Sequence, residues 1–392
     1  MEIAKRNIHI FRKQRSRQSI HKMSSAEEKG KNTTGDKEAG AGKEAAVPFV
    51  FPADDLALPK GSLILATGAT GHIASNVIYE ALALGYRVRG TVRSEDKATY
   101  LKEKVFPAAA QAGTFETAIV SDLTDVDGCE AAVRGCDGVI HLASVVSFSH
   151  DPTEVVPVTV AGAVNLLKAA AAPGSTVKRF VYTSSSTAAT LPILDKVFPI
   201  DSSTWNDATV ARVQALQPPY KEDPITAYQI YAASKAEAER AVWKFVADNN
   251  PPFTVNAVLP NMNTGRILGP SGYTASRAPA ILDGSFEAGF VTPQWFVDVV
   301  DDARVHLAAL LDKTVANERL FAFAEPFDWN DFIDAVHRAR PGRDGITPRL
   351  PPHGKDLSVV DNAKAEALLT KWFDVPGWKS IDQSVVENLE GL

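Results

Sequence analysis

Cysteine is nearly missing from this 392-residue chain: Cys129 and Cys136 are the two present, alongside three methionines. Two thiols on one expected helix-and-turn segment give no metal-ligand spacing and little prospect of a disulfide. Free thiols in a reducing compartment are expected, and no metal is. Long hydrophobic runs are missing as well; the longest are strand-sized, short of the roughly 18–20 apolar residues that cross a bilayer, so no membrane is expected as a partner. A strong excess of one charge is also missing. With 41 Lys and Arg against 47 Asp and Glu the net charge is -6, which gives no reason to expect nucleic acid as a partner. What is there is ordinary globular composition, 45% hydrophobic and 22% charged. The length suits one large α/β unit or two domains with a substantial core.

The first 46 residues differ in kind. Residues 1–22 carry seven basic side chains (Lys5, Arg6, Arg12, Lys13, Arg15, Arg17 and Lys22) against one acid, Glu2, and 23–46 hold no aromatic. Such a stretch reads as a disordered basic and polar extension outside the fold. An Arg-rich, acid-poor start is one form of organellar transit peptide. The other reading is an upstream extension before a second possible start at Met23, with the chain expected in the cytoplasm.

From Val47 onward strands alternate with helices. Ser62–Thr67 is a strand-length apolar run, followed at once by Gly68-Ala-Thr-Gly71-His-Ile-Ala74 and a helical pattern over Ser75–Leu84. Strand, glycine turn and helix form the context of a dinucleotide fingerprint. Gly68 permits a tight turn, Gly71 lets backbone approach a pyrophosphate, and helix N–H groups then face the phosphates. The spacing is G-x-x-G-x-x-A, with Ala74 small enough for helix–strand packing. Tyr86–Val92 alternates as a second strand and runs into Arg93-Ser-Glu-Asp-Lys97. At this point an NAD enzyme places an acid and an NADP enzyme a cation; Arg93 and Lys97 suit a 2′-phosphate, one by its planar fork and one as a point charge. Further strands are predicted at Thr114–Val120, Gly138–Ser144, Lys178–Thr183 and Phe253–Leu259, with Asp122 and Leu123 placed for an adenine. His141 falls within an apolar run and reads as a core histidine.

The pattern predicts α/β architecture, a doubly wound parallel sheet of the Rossmann kind over 47–261 with its ligand crevice at the strand C-termini. A smaller C-terminal substrate lobe occupies 262–392, with a short strand at Arg319–Ala324 and helices around Phe296–Leu311, 329–339 and 361–370. Trp295, Phe296 and Phe327 read as packing there. Residues 187–223 interrupt the alternation as a long insertion, of a length usual for lids or disordered loops.

Tyr231-Ala-Ala-Ser-Lys235 opens a run of strong helix formers free of Gly and Pro until Pro251, placing the motif near a helix start. At this spacing phenol and ammonium share a face, roughly 5–6 Å apart at Cβ. A cation there lowers the phenol pKa towards working pH and suits it to proton exchange with a carbonyl or alcohol. Ser184-Ser185-Ser186, delivered by the fifth strand, can donate hydrogen bonds at the same edge.

Together these residues resemble the extended short-chain dehydrogenase/reductase family. The resemblance lies in Thr67-Gly68-Ala-Thr-Gly71-His-Ile-Ala74, His141-Leu-Ala-Ser144, Thr183-Ser184-Ser185, Tyr231-x-x-x-Lys235 and Val258-Leu-Pro260. Ala161–Lys168, Arg93-Ser-x-x-Lys97 and Asn256–Asn261 are most similar to its fungal NADPH-dependent carbonyl reductase branch, related to dihydroflavonol reductases. The resemblance covers about residues 60–385. It implies an enzyme that transfers hydride from NADPH to a small-molecule aldehyde or ketone. It implies Ser185, Tyr231 and Lys235 as catalytic residues, with Ser186 one position away as the alternative to Ser185. It further implies Gly68, Thr70, Gly71, His72 and Ile73 at the pyrophosphate turn, Arg93 and Lys97 at the 2′-phosphate, Asp122 and Leu123 at the adenine, and Ala143, Tyr231, Lys235 and Pro260 towards the nicotinamide. Where the family often has an Asn for proton relay, this chain has Thr159. Sugar-nucleotide epimerases, steroid-type dehydrogenases and NADP-sensing regulators share the core; for a diphosphate sugar, 262–300 supplies only Arg266 and Arg277 as cations. Oligomeric state, natural substrate and stereochemistry are not encoded in these motifs.

Overall fold

The computed structural model describes residues 53–144, 149–270, 274–289 and 292–392, and these described residues form one compact unit. The basic extension expected over 1–46 lies outside the described residues.

Twelve strands occur among the described residues: β1 (Leu63–Ala66), β2 (Arg87–Val92), β3 (Phe115–Ile119), β4 (Gly138–His141), β5 (Arg179–Thr183), β6 (Pro199–Ile200), β7 (Thr254–Pro260), β8 (Met262–Thr264), β9 (Gln294–Asp298), β10 (Arg319–Ala322), β11 (Glu325–Phe327) and β12 (Val359–Val360). Seven make one sheet in the order β10-β7-β5-β4-β1-β2-β3, every neighbour parallel. From β1 the chain winds one way through β2 and β3 and the other through β4 and β5, so the strand order reverses beside β1, where such sheets bind ligands.

Strand periodicity explains the two cores. Successive side chains of β1 point to opposite faces. Ile64 and Ala66 pack with Val77 and Ile78 of helix α1 (His72–Ala83). Leu63 and Leu65 join Leu166 of helix α2 (Pro152–Ala171) and Ala238 and Val242 of helix α3 (Pro224–Asn249). Both faces being covered, β1 is apolar throughout, as a central parallel strand must be. By length and composition α2 is able to cross a membrane, a departure from the expectation that the apolar runs are only strand-sized; half of its most apolar stretch is buried, and it packs along α3, as a core helix does.

The C-terminal region departs from its sequence pattern in two places. β10, grouped above with the substrate lobe, pairs in parallel with β7 and forms the edge of the main sheet. The helix expected from Phe296 starts later: Gln294–Asp298 is strand β9, and helix α4 (Val299–Leu311) begins after Asp298, whose side chain accepts the Val300 N–H at 2.9 Å. Ala303 and Leu307 of α4 are packed into the α1 side of the core. Beyond them β11-β9-β8 form a small sheet. Phe296 and Phe327 are buried beside it with Trp329 and Phe332 of helix α5 (Trp329–Ala339) and Val385 of helix α6 (Ile381–Asn388). Trp295 packs on Phe323 and donates to the Ser358 hydroxyl. These aromatics are core, as expected.

The 187–223 insertion is structured. It holds β6, paired with β12, and a helix over Asp207–Gln214. Val210 and Val213 of that helix are buried with Ala188, Ile230 and Ala233, so the insertion packs against the Tyr231 helix.

Candidate active site

Helix α3 begins at a clear signal. Asp223 caps it by accepting the Thr226 N–H at 2.9 Å, Pro224 takes the first position, and Asn250 ends it in the left-handed region at φ 41. Tyr231 therefore lies two turns inside the helix, deeper than the motif suggests. Its neighbour Tyr228 stacks on it, ring centroids 6.4 Å apart.

The structure brings Ser185, Tyr231 and Lys235 together. The Ser185 side chain neighbours the Tyr231 phenol and favours its ionised form. One turn on, the buried Lys235 donates to the Thr183 carbonyl at 2.8 Å and reaches the Tyr182 hydroxyl at 3.5 Å, both residues belonging to β5. Of the consecutive serines, Ser185 meets the phenol, while Ser186 opens a four-residue helical turn. Ser184 continues the sheet through its N–H to Val258, and its hydroxyl donates to Glu239 at 2.6 Å. A strand-end serine normally bonds backbone; here a carboxylate takes it.

The electrostatics correct one expectation. Burial pushes the Tyr231 phenol above its ordinary value, and the neighbouring Ser185 hydroxyl opposes that shift. Burial dominates that shift, and the Lys235 hydrogen bonds go to Thr183 and Tyr182 and not to the phenol. Burial likewise lowers Lys235 to about 8, opposed by the charge of Glu239. Glu239 is fully buried on α3. It accepts from Ser184, from Trp243 Nε1 at 3.1 Å and from Arg319 Nε at 2.7 Å. Arg319, on β10, also donates to the Ser202 and Thr204 carbonyls at 2.8 Å and lies over the Trp205 ring.

The expected cofactor residues line one edge of the sheet, at the C-terminal ends of β1 to β4 and β7. Gly68 has φ 68, and a side chain there would meet Ala143 Cβ at 3.1 Å, so the turn requires glycine. Gly71 caps α1, whose first residues are His72 and Ile73. The amides of that first helical turn have no intrahelical partner and suit an anion; Thr70 lies in the turn between. The His72 ring is directed elsewhere: Nε2 lies 3.1 Å from the Arg266 carbonyl, and burial lowers its pKa. Arg93 and Lys97 are exposed just past β2. Past β3, Asp122 is exposed, its carboxyl held below the usual range by hydrogen bonds from Thr124, and Leu123 packs towards Gly162. Pro260 is buried at the end of β7. A Cβ-free turn, open helix amides and two cations at the next strand end fit a dinucleotide bearing a 2′-phosphate.

His141 is a satisfied core histidine, its Nδ1 2.8 Å from the Thr67 hydroxyl. Thr159 spends its hydroxyl on the Val155 carbonyl of its own helix at 2.8 Å, though it borders a small cavity with His141, Ser144 and Tyr182. Cys129 and Cys136 are free and buried. Among the described residues, no group of three or more His, Cys, Asp or Glu is placed to hold a metal ion.

The motifs missed four residues of this site. Glu239 stands four positions after Lys235, a spacing that places it on the same helix face. Thr187 follows Ser185 by two, the offset of a hydroxyl turn. Asn206 and Arg319 reach the site only through the tertiary fold and leave no local signal.

Residues 64–271 match the NAD dependent epimerase/dehydratase family. Aldehyde reductase 2 of Sporidiobolus salmonicolor is 38% identical over 339 residues, 85% of this chain and 96% of that protein. Ketoreductase adrE of Penicillium roqueforti is 38% identical over 341 residues, 85% of this chain and 97% of that protein. The crystal structure of yeast methylglyoxal/isovaleraldehyde reductase Gre2 complexed with NADPH is similar in fold, with a TM-score of 0.69 at 22% identity over 83% of this chain and 96% of that one. The glycine turn of β1, the parallel sheet around it and these relatives agree: the chain is a member of the NAD dependent epimerase/dehydratase family, of the extended short-chain dehydrogenase/reductase type.

Proposed function

We propose that the chain is an NADPH-dependent carbonyl reductase that converts an aldehyde or ketone to the alcohol. The observation that carries this reading is the meeting of Ser185, Tyr231 and the Lys235 ammonium, held on the Thr183 carbonyl, at the sheet edge that also carries the glycine turn. Bound NADPH supplies the hydride. The protein supplies the rest. Burial keeps the Tyr231 phenol protonated, so it meets the substrate as an acid. As negative charge grows on the carbonyl oxygen, the Ser185 and Tyr231 hydroxyls donate to it, and Tyr231 gives up its proton. Each such donor typically contributes about 3–4 kcal/mol to transition-state stabilisation. Lys235, held by Thr183 and Tyr182, supplies positive charge as the phenolate forms. Arg93 and Lys97 favour NADPH over NADH through the 2′-phosphate.

A sugar-nucleotide substrate fits less well. Arg266 is committed to Asn76 and Glu80 and lies over the Tyr79 ring, and Arg277 donates to the Glu287 carbonyl. A cofactor sensor without chemistry has no use for a phenol beside Ser185 with a buried ammonium one turn away. Reduced, buried cysteines suit a cytoplasmic location; cell fractionation that recovers the chain in an organelle would overturn that part.

NADPH consumption followed by absorbance, with a panel of aldehydes and ketones, tests the reading. Oxidation of NADPH with at least one of them is expected. Tight NADPH binding with no oxidation across the panel would replace the enzyme by a sensor.

A further inference from the structure

The hydrogen bonds around Ser185 decide which way its proton faces. Its Oγ accepts the Thr187 N–H at 3.2 Å, and it also accepts the Thr187 hydroxyl at 3.0 Å. A hydroxyl oxygen has two lone pairs and one proton. With both lone pairs occupied by Thr187, the single O–H of Ser185 is left to donate, and the Tyr231 phenol, whose ionised form Ser185 favours, is a neighbour able to take it. Thr187 does not wander from this position. It is buried, and the insertion latches its backbone from outside: the Asn206 side chain donates to the Thr187 carbonyl at 2.8 Å, and the Asn206 N–H to the Ala188 carbonyl at 3.0 Å.

We propose that Thr187, latched by Asn206, is a positioning residue that sets the direction of the hydroxyl chain, so that Ser185 donates towards Tyr231 and the substrate oxygen rather than accepting from the phenol. The inference rests on the reading of Ser185 and Tyr231 as the groups that meet the carbonyl. Its consequence is directional. Reduction requires the Tyr231 proton to be free for the substrate; if Ser185 turned round and accepted it, that proton would be spent within the protein. In alcohol oxidation the same donation from Ser185 supports the phenolate. Without Thr187 the phenolate loses that support and forms at higher pH. The other titratable groups facing the phenol are Tyr228 and Lys235 on its own helix and Tyr182 on β5, with Glu239 beyond Lys235 and His141 behind Tyr182. None of them touches Thr187 through a hydrogen bond in this structure, so their titration is common to wild type and variant.

Thr187→Val keeps the shape and removes the hydroxyl. Measured in both reaction directions, it is expected to lower kcat about tenfold with KM little changed, and to move the limb of the alcohol-oxidation pH profile up by about one unit. Thr187→Ser restores the hydroxyl and is expected to restore both. Wild-type kcat and profile in Thr187→Val would overturn the inference, as would a loss of kcat with an unmoved limb, or a Thr187→Ser enzyme as slow as the valine variant. If Thr187→Val does not fold, Thr187→Ala with the same readouts decides between the same outcomes. Tyr231→Phe run alongside separates the two claims. An active Tyr231→Phe enzyme removes Tyr231 as the proton donor, on which the inference rests; an inactive one beside an unaffected Thr187→Val removes only the role of Thr187.

Discussion

Ser184 donates to Glu239 at 2.6 Å, and this bond ties the end of β5 to the helix that carries Tyr231 and Lys235. The same carboxylate accepts Arg319 from the sheet edge, and Arg319 holds the insertion at Ser202 and Thr204. Three separate stretches of chain are thus fixed to one buried anion. Glu239→Ala leaves Arg319, also buried, without its counter-charge. Breaking a buried pair from one side costs about 3–5 kcal/mol, so a loss of that order is expected in urea denaturation. A variant as stable as wild type would show that the cluster holds nothing.

Lys235 links stability to pH. Its folded pKa, about 8, lies below the ordinary 10.5. Below pH 8 the group is charged in both states, and folding carries the full desolvation penalty. Between about 8 and 10.5 the folded protein has released the proton and the unfolded chain has not, so stability rises with pH. Lys235→Met in the absence of cofactor is therefore expected to be more stable than wild type near pH 7, by at most about 3 kcal/mol. The difference should close by the upper end of that window. A difference that does not change with pH would contradict the assigned cause.

Arg93 stands exposed past β2, as does Lys97 four residues on, two cations at the strand end suited to a 2′-phosphate. Arg93→Ala is expected to weaken NADPH binding by roughly tenfold or more and leave NADH almost unchanged. Equal weakening of the two in a fluorescence titration would remove the assignment.

Much of this was legible because it is local. Strand period and glycine chemistry place β1, Gly68 and α1 from the residues alone, and the i, i+4 spacing puts Tyr231 and Lys235 on one helix face. The strand at β10 was legible as a strand but not as part of the main sheet, since parallel pairing with β7 joins Arg319 to Ala257 across some sixty residues. The order at the serines depends on tertiary partners: only the folded chain shows Ser184 taken by Glu239, which leaves Ser185 for the phenol. The direction of the Tyr231 shift was hidden for the same reason. Sequence spacing shows a cation nearby, whereas burial, which dominates, is a property of the packed helix.

The most direct measurement is turnover of Tyr231→Phe with NADPH and a carbonyl substrate that the wild-type protein reduces. The phenyl ring keeps the packing and removes the proton donor, so kcat should fall at least about a hundredfold with NADPH affinity largely kept. Turnover at the wild-type rate would contradict the account, because the proton would then reach the substrate oxygen from some other group.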